Sequence, residues 1–190
     1  MPVPDLRARL LEVLDREPAP ATSPGTRAAG VLVPVVAGPE PSVVFTRRSA
    51  DLSRHAGEIS FPGGLADPHD AGPIATALRE FEEELGVSAS SVEVLGALPP
   101  VHTVVSGILM VPVVGWLAAR TVDAPHPGEI AELLEFPLAD LGRAETAVER
   151  TRGGVTWQGW DYPMGAAGEH RIWGATGFAL HSLLDLLERV

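Results

Sequence analysis

Apolar positions along the chain fall into two periods, and each marks a different kind of element. Over residues 4–16, Leu6, Leu10, Val13 and Leu14 recur at helical spacing, which predicts an amphipathic N-terminal helix. The EPAPATSPGT that follows has no period and reads as a linker. The runs AGVLVPVV (29–36) and SVVFTRR (42–48) are rich in β-branched residues and are joined by the turn-forming AGPEP, so they predict a hairpin. ISFPGG (59–64) predicts a short strand ending in a Pro-Gly-Gly turn, and the polar LADPHDAG leads from it into a strongly periodic helix. Further strands are expected at 92–98 and 108–117, with a second helix opening near Pro137 and a β-rich stretch around 155–162. A closing helix over 175–190 carries Phe178, Leu180, Leu183, Leu184 and Leu187 on the side suited to a sheet. No internal repeat is visible. Strands and helices interleave without regular βαβ alternation, which predicts an α/β fold with a mixed sheet sandwiched by helices.

Composition narrows this picture. With 190 residues, 45% of them apolar, the chain is long enough for one domain with a sizeable core. The expected division is a helix and linker over 1–27 and a single domain over 28–190. Neither a membrane-length apolar run nor a secretory leader is visible, so a cytoplasmic protein without membrane attachment is expected. The lack of cysteine excludes disulfides, thiolate catalysis and cysteine-held metals, and leaves oxygen and histidine as metal donors. A net charge of −11 argues against a nucleic-acid or anionic-lipid partner and favours a small-molecule substrate. All 14 basic residues are arginine; this is ordinary compositional bias unless particular arginines grip phosphates.

The periodic helix is the informative segment. With each residue of I74-A-T-A-L-R-E-F-E-E-E-L-G-V87 at about 100° per step, Ile74, Leu78, Phe81 and Leu85 form a core stripe. Glu80, Glu83 and Glu84 share another side, Glu82 points away, and Gly86 reads as the C-cap. The three carboxylates lie in the last turns, where the helix dipole is negative and like charges at these spacings repel. Stability alone disfavours that arrangement. A solvated acidic face is the ordinary explanation; a hard divalent cation with several oxygen ligands is the chemical one.

A wider pattern favours the cation. Arg79-Glu80-Phe81-Glu82-Glu83-Glu84-Leu85-Gly86-Val87 resembles, position by position, the second half of the Nudix box. That resemblance implies the Nudix-type α/β/α sandwich and a diphosphate hydrolase using Mg²⁺ or Mn²⁺. It implies metal ligation by Glu80 and Glu84, with Glu83 close by as a further ligand or base, and Arg79 orienting these carboxylates. The first half departs from the usual form: Gly64 is followed after five residues by Asp70, and eight residues separate Asp70 from Arg79. The loop acid, Asp70 or Asp67, therefore stands open as ligand or helix cap.

Upstream, V43-V-F-T-R-R-S-A-D-L-S-R-H-A-G-E-I-S-F-P-G-G64 resembles the signature of the coenzyme A diphosphatase branch, with its later arginine displaced by one residue to Arg54. The likeness continues through L98-P-P-V-H, V111-P-V-V-G, E135-F-P-L-A-D-L and I172-W-G-A-T-G. It implies cleavage of coenzyme A or its thioesters into phosphopantetheine, or its acyl form, and adenosine 3′,5′-bisphosphate. Alternatives are another nucleoside diphosphate, such as ADP-ribose or a dinucleotide, and a catalytically silent Nudix domain that senses a nucleotide. Arg48 and Arg54, and secondarily Arg47, are candidate phosphate holders, and the Gly63-Gly64 backbone can approach an anion closely. His55 and His102 carry no assigned task, and Trp173 reads as a packing residue before it reads as an adenine stack. Either Glu83 or Glu129 could accept the proton of an attacking water. A homodimer is expected by analogy alone.

Overall fold

The computed structural model describes residues 3–18, 26–51, 55–103, 107–119 and 128–189. Its elements in chain order are α1 (Val3–Val13), β1 (Arg27–Val36), β2 (Ser42–Arg48), β3 (Ile59–Ser60), β4 (Gly63–Leu65) and α2 (Pro73–Leu85). They continue with β5 (Val92–Ala97), β6 (Val101–Thr103), β7 (Ile108–Leu117), β8 (Ile130–Pro137), α3 (Leu138–Ala144), β9 (Thr146–Arg152), β10 (Val155–Met164), β11 (His170–Ile172) and α4 (Gly174–Arg189).

Eight strands form one mixed sheet, in the path β3-β2-β1-β7-β5, with β4 joining β1, β6 joining β7 and β8 joining β2. The pairing of β1 with β7 is parallel over its full length, from Arg27 opposite Ile108 to Val36 opposite Leu117, and the remaining pairings are antiparallel. Both long central strands read as continuous apolar runs because helices cover both faces. One face packs Leu32, Val36, Val44 and Val113 against Ala77, Phe81 and Leu85 of α2. The other packs Val33, Val35, Val43 and Phe45 against Leu6, Leu10 and Leu14 from the α1 side and Leu180, Leu183 and Leu184 of α4. A second sheet, β11-β10-β9, lies beside this second core. The result is an α/β/α sandwich around a mixed sheet.

The expected N-terminal helix thus packs into the same core as α4 and the sheet. Asp15, just beyond it, bridges to the backbone of Ala97 on edge strand β5. Strands β8 and β9 were not expected from the pattern. In β8, Leu133 faces the α2 core while its neighbour Leu134 faces the other, so the strand shows no alternation. Strand β9, TAVERTR, is mostly exposed and owes its form to pairing with β10. Pro137, expected to open a helix, sits at the N-cap of α3. Among the described residues, no helix is long and apolar enough to cross a membrane.

Candidate functional site

Helix α2 begins with Pro73 at its first turn and ends at Gly86, whose φ of 66° and ψ of 13° give the left-handed C-cap that only glycine adopts cheaply. Phe81 and Leu85 are fully buried, and Ile74 and Leu78 pack against the same cluster. The helix approaches β1 so closely that a Cβ on Gly30 would lie 2.9 Å from the backbone nitrogen of Ala77. This contact sets the height of α2 over the sheet, and with it the position of every carboxylate on its next turns.

Arg79 is the organiser of that acidic face. Its Nε and one Nη2 hydrogen donate to the two oxygens of Asp70, at 3.1 Å each, and Nη2 also donates to the carbonyl of Leu65 at 3.1 Å. Its Nη1 donates to Glu80 Oε1 at 2.9 Å and Glu83 Oε2 at 3.0 Å. All five guanidinium donors are therefore committed, four of them to carboxylate oxygens and one to the backbone of β4 beside Gly64. Asp70 is held well below the usual carboxylate range, chiefly by its hydrogen bond with Arg79. It also accepts from the Thr76 hydroxyl and the Asp67 backbone, both at 2.9 Å. The N-cap position itself is Gly72, which makes no side-chain cap, so the loop acid braces Arg79 instead of capping the helix.

Glu80, Glu83 and Glu84 share a side, as the helical spacing requires, but their surroundings differ. The Glu83 side chain is largely exposed. Glu80 is half-buried, and burial raises its pKa against the opposing pull of Arg79. Glu84 is buried, with a relative exposure of 6%, and its Oε2 accepts from the Gly63 backbone at 3.2 Å. Burial pushes this carboxyl up to about 7, with the charges of Glu80 and Glu129 adding to the rise and Arg48 opposing it. Glu82 faces elsewhere and accepts from the Ala89 backbone.

Strand β4 supplies the floor. Gly63 has a φ of 153°, and a Cβ there would strike Val31, so only glycine fits. At Gly64 a Cβ would lie 2.5 Å from the Glu80 carboxyl carbon. The glycine pair thus gives the carboxylates room, and the Gly63 N–H, expected to face an anion, is turned to Glu84. Glu129 is exposed; its backbone carbonyl accepts from Ser49 at 2.8 Å, and its charge is felt at both Glu80 and Glu84. Arg48 ends β2, with its charge felt at Glu84 and its buried Nε without a hydrogen-bond partner among the described residues. Arg47 points to the other side of the strand and pairs with Glu132 at 2.6 Å. Arg54 lies outside the described residues.

The other candidates lie elsewhere. His102 sits exposed on β6. Trp173 is partly exposed and flanked by the guanidinium carbons of Arg150 and Arg171, 5.1 and 5.9 Å from its ring centroid, and both arginines pair with buried Asp161.

The donor set suits a hard divalent cation. Glu84 is a buried carboxylate with one N–H partner, and Glu80 rests in a cradle that any side chain at residue 64 would fill. Crowded carboxylates of raised pKa gain most from a nearby cation. Among the described residues no three such groups already converge on one point, since Glu80 and Glu83 turn to Arg79 and Glu84 turns to Gly63.

Comparison with known proteins agrees with this geometry. The NUDIX domain family profile matches residues 26–158. A Pectobacterium atrosepticum protein named uncharacterized Nudix hydrolase NudL is 42% identical over 165 residues, covering 83% of this chain and 81% of its own length. Among solved structures, a MutT/nudix family protein from Enterococcus faecalis superposes with a TM-score of 0.56 at 14% identity, over 90% of this chain and 66% of its own. The NUDIX domain of Shewanella oneidensis NrtR, solved with ADP ribose, gives 0.50 at 19% identity, over 72% of this chain and 86% of its own.

Proposed function

The chain belongs to the Nudix hydrolase family, and on that footing we propose that it hydrolyses the diphosphate of coenzyme A or its thioesters, giving phosphopantetheine or its acyl form and adenosine 3′,5′-bisphosphate. The observation that carries the reading is the meeting of two segments. The run 43–64, which resembles the coenzyme A branch, brings Arg48, Gly63 and Gly64 to the side of α2 that holds Glu80 and Glu84.

Glu80, Glu83 and Glu84 would hold Mg²⁺ or Mn²⁺. When bound, such an ion supplies charge neutralisation for the diphosphate and a more acidic water. The protein's own groups do the rest. Arg79, with every donor committed, ties Glu80 and Glu83 to the loop at Leu65 and Asp70, which keeps these carboxylates on the face where a cation would be held. Arg48, its buried Nε unmatched among the described residues, holds a phosphate oxygen together with Arg54, and Gly63 and Gly64 keep side chains away from the approaching diphosphate. Glu129 accepts the proton of the attacking water, because Glu83 is engaged by Arg79 while Glu129 is exposed and near enough for its charge to be felt at Glu80 and Glu84.

The test is a panel of coenzyme A, acetyl-coenzyme A, ADP-ribose and dinucleotides with Mg²⁺ and with Mn²⁺, read by product chromatography. Coenzyme A and its thioester should be turned over fastest. Faster cleavage of ADP-ribose or a dinucleotide would move the substrate to that class. Tight nucleotide binding without turnover under either metal would identify a sensing domain.

A further inference from the structure

The loop between β2 and β3 contains the one non-glycine residue with positive φ among the described residues, His55 at 56°. A histidine in the left-handed region is strained unless its surroundings hold it there. What holds it is a turn closed twice. The Glu58 backbone N–H donates to the His55 carbonyl at 3.2 Å, and the His55 Nδ1 lies 2.8 Å from Glu58 Oε2. Because an ionised carboxylate only accepts, Nδ1 is the protonated ring nitrogen.

This turn grips Arg48. The Arg48 backbone N–H donates to the Glu58 carbonyl at 3.0 Å, and the Arg48 carbonyl accepts from Gly57 at 3.2 Å. The grip coincides with a break in register: Arg47 pairs with Glu132 and Arg48 with Ile130, so one residue of β8 is skipped. The unpaired residue, Ala131, lies on β8, so the bend falls on the strand that leads back to Glu129, while Arg48 stays opposite Ile130. The next residue, Ser49, donates to the carbonyl of Glu129. Arg48 and Glu129, whose charges both reach Glu84, are thus set by one short stretch of backbone that closes on His55 and Glu58.

We propose that His55 and Glu58 are positioning residues: their side-chain pair locks the turn that aims Arg48 at the substrate, and so sets affinity for the diphosphate. The proposal rests on the reading of Arg48 as a phosphate holder. The experiment measures KM and kcat for E58A, H55A, E58Q, R48A and the R48A/E58A double variant, on coenzyme A or whichever diphosphate of the panel the wild type cleaves. E58A and H55A should raise KM by about 5- to 20-fold with kcat within about twofold, since a small misplacement of a binding group is costly. E58Q, which keeps an acceptor for Nδ1, should restore KM to within about threefold. In the R48A background E58A should add less than about twofold, because a residue acting through Arg48 has nothing left to aim. KM raised by R48A but unmoved by both E58A and H55A overturns the positioning role alone, as do multiplying effects in the double variant. KM unmoved by R48A overturns the reading of Arg48 and the proposal with it. Far-ultraviolet circular dichroism and thermal melting identify any variant that fails to fold, and the independent E58A and H55A substitutions keep the test decisive.

Discussion

Replacing Glu84 by glutamine should stabilise the metal-free protein while abolishing its hydrolytic activity. The carboxyl moves from 4.5 to about 7 on folding, chiefly because it is buried. Between those values the native state holds the proton that the unfolded chain has released, so stability falls as pH rises through that window. At about 1.4 kcal/mol per pH unit, the native state above pH 7 carries a cost of roughly 3 kcal/mol. Glutamine keeps an acceptor for the Gly63 N–H and removes the charge. Allowing for imperfect accommodation of its amide, a gain of about 2 kcal/mol is expected, or roughly 4–8 °C in Tm for a chain of this size. The assay is thermal unfolding in EDTA at pH 8 and at pH 4.5, with and without added Mg²⁺. E84Q should melt above the wild type at pH 8, lose that advantage at pH 4.5, and gain less from Mg²⁺ than the wild type does. An E84Q protein less stable than the wild type in EDTA at pH 8 would refute the argument from burial.

Three further outcomes follow from the same geometry. D70N should lower stability by about 1–3 kcal/mol at neutral pH, as expected for a buried hydrogen-bonded charge, and should cut kcat through the loosened Arg79. Because Asp70 is held below the usual carboxylate range, its contribution is present above about pH 4 and fades as acid protonates it, so the two proteins should converge on acid titration of unfolding. G30A and G64A should separate folding from activity: G30A sets a Cβ against helix backbone and should lower Tm strongly, whereas G64A meets the movable end of Glu80 and should lose activity with little change in Tm. E129Q should lower kcat by about 10²-fold or more with KM nearly unchanged; wild-type kcat in that variant would return the proton to Glu83.

The glutamate helix was legible because its signals are local. Apolar spacing put Phe81 and Leu85 on the core side, and Gly86 stopped the helix where a left-handed cap was expected. The division of labour among its carboxylates was not, since Glu84 is buried where it meets the Gly63 backbone of β4, a contact across the fold, and Gly30 gives no hint of its contact with α2. Asp70 could not be assigned from spacing because its partner, Arg79, is reached through the fold of the loop and not through helical periodicity. Arg47 and Arg48 are adjacent and chemically alike; strand alternation puts them on opposite sides, and only the pairing of β2 in the fold shows that Arg47 meets Glu132 while the charge of Arg48 is felt at Glu84. Strand β8 itself escaped the pattern because cores on both faces erase its alternation.

If the carboxylates of α2 serve diphosphate cleavage, the products formed from coenzyme A will reveal it. Wild-type protein and E84Q are incubated in parallel with coenzyme A and Mg²⁺, and the products are separated and identified by mass. Adenosine 3′,5′-bisphosphate and phosphopantetheine should appear in equal amounts from the wild type and neither from E84Q. Intact coenzyme A under conditions where the wild type cleaves another diphosphate would contradict the substrate, and equal turnover by E84Q would contradict the site.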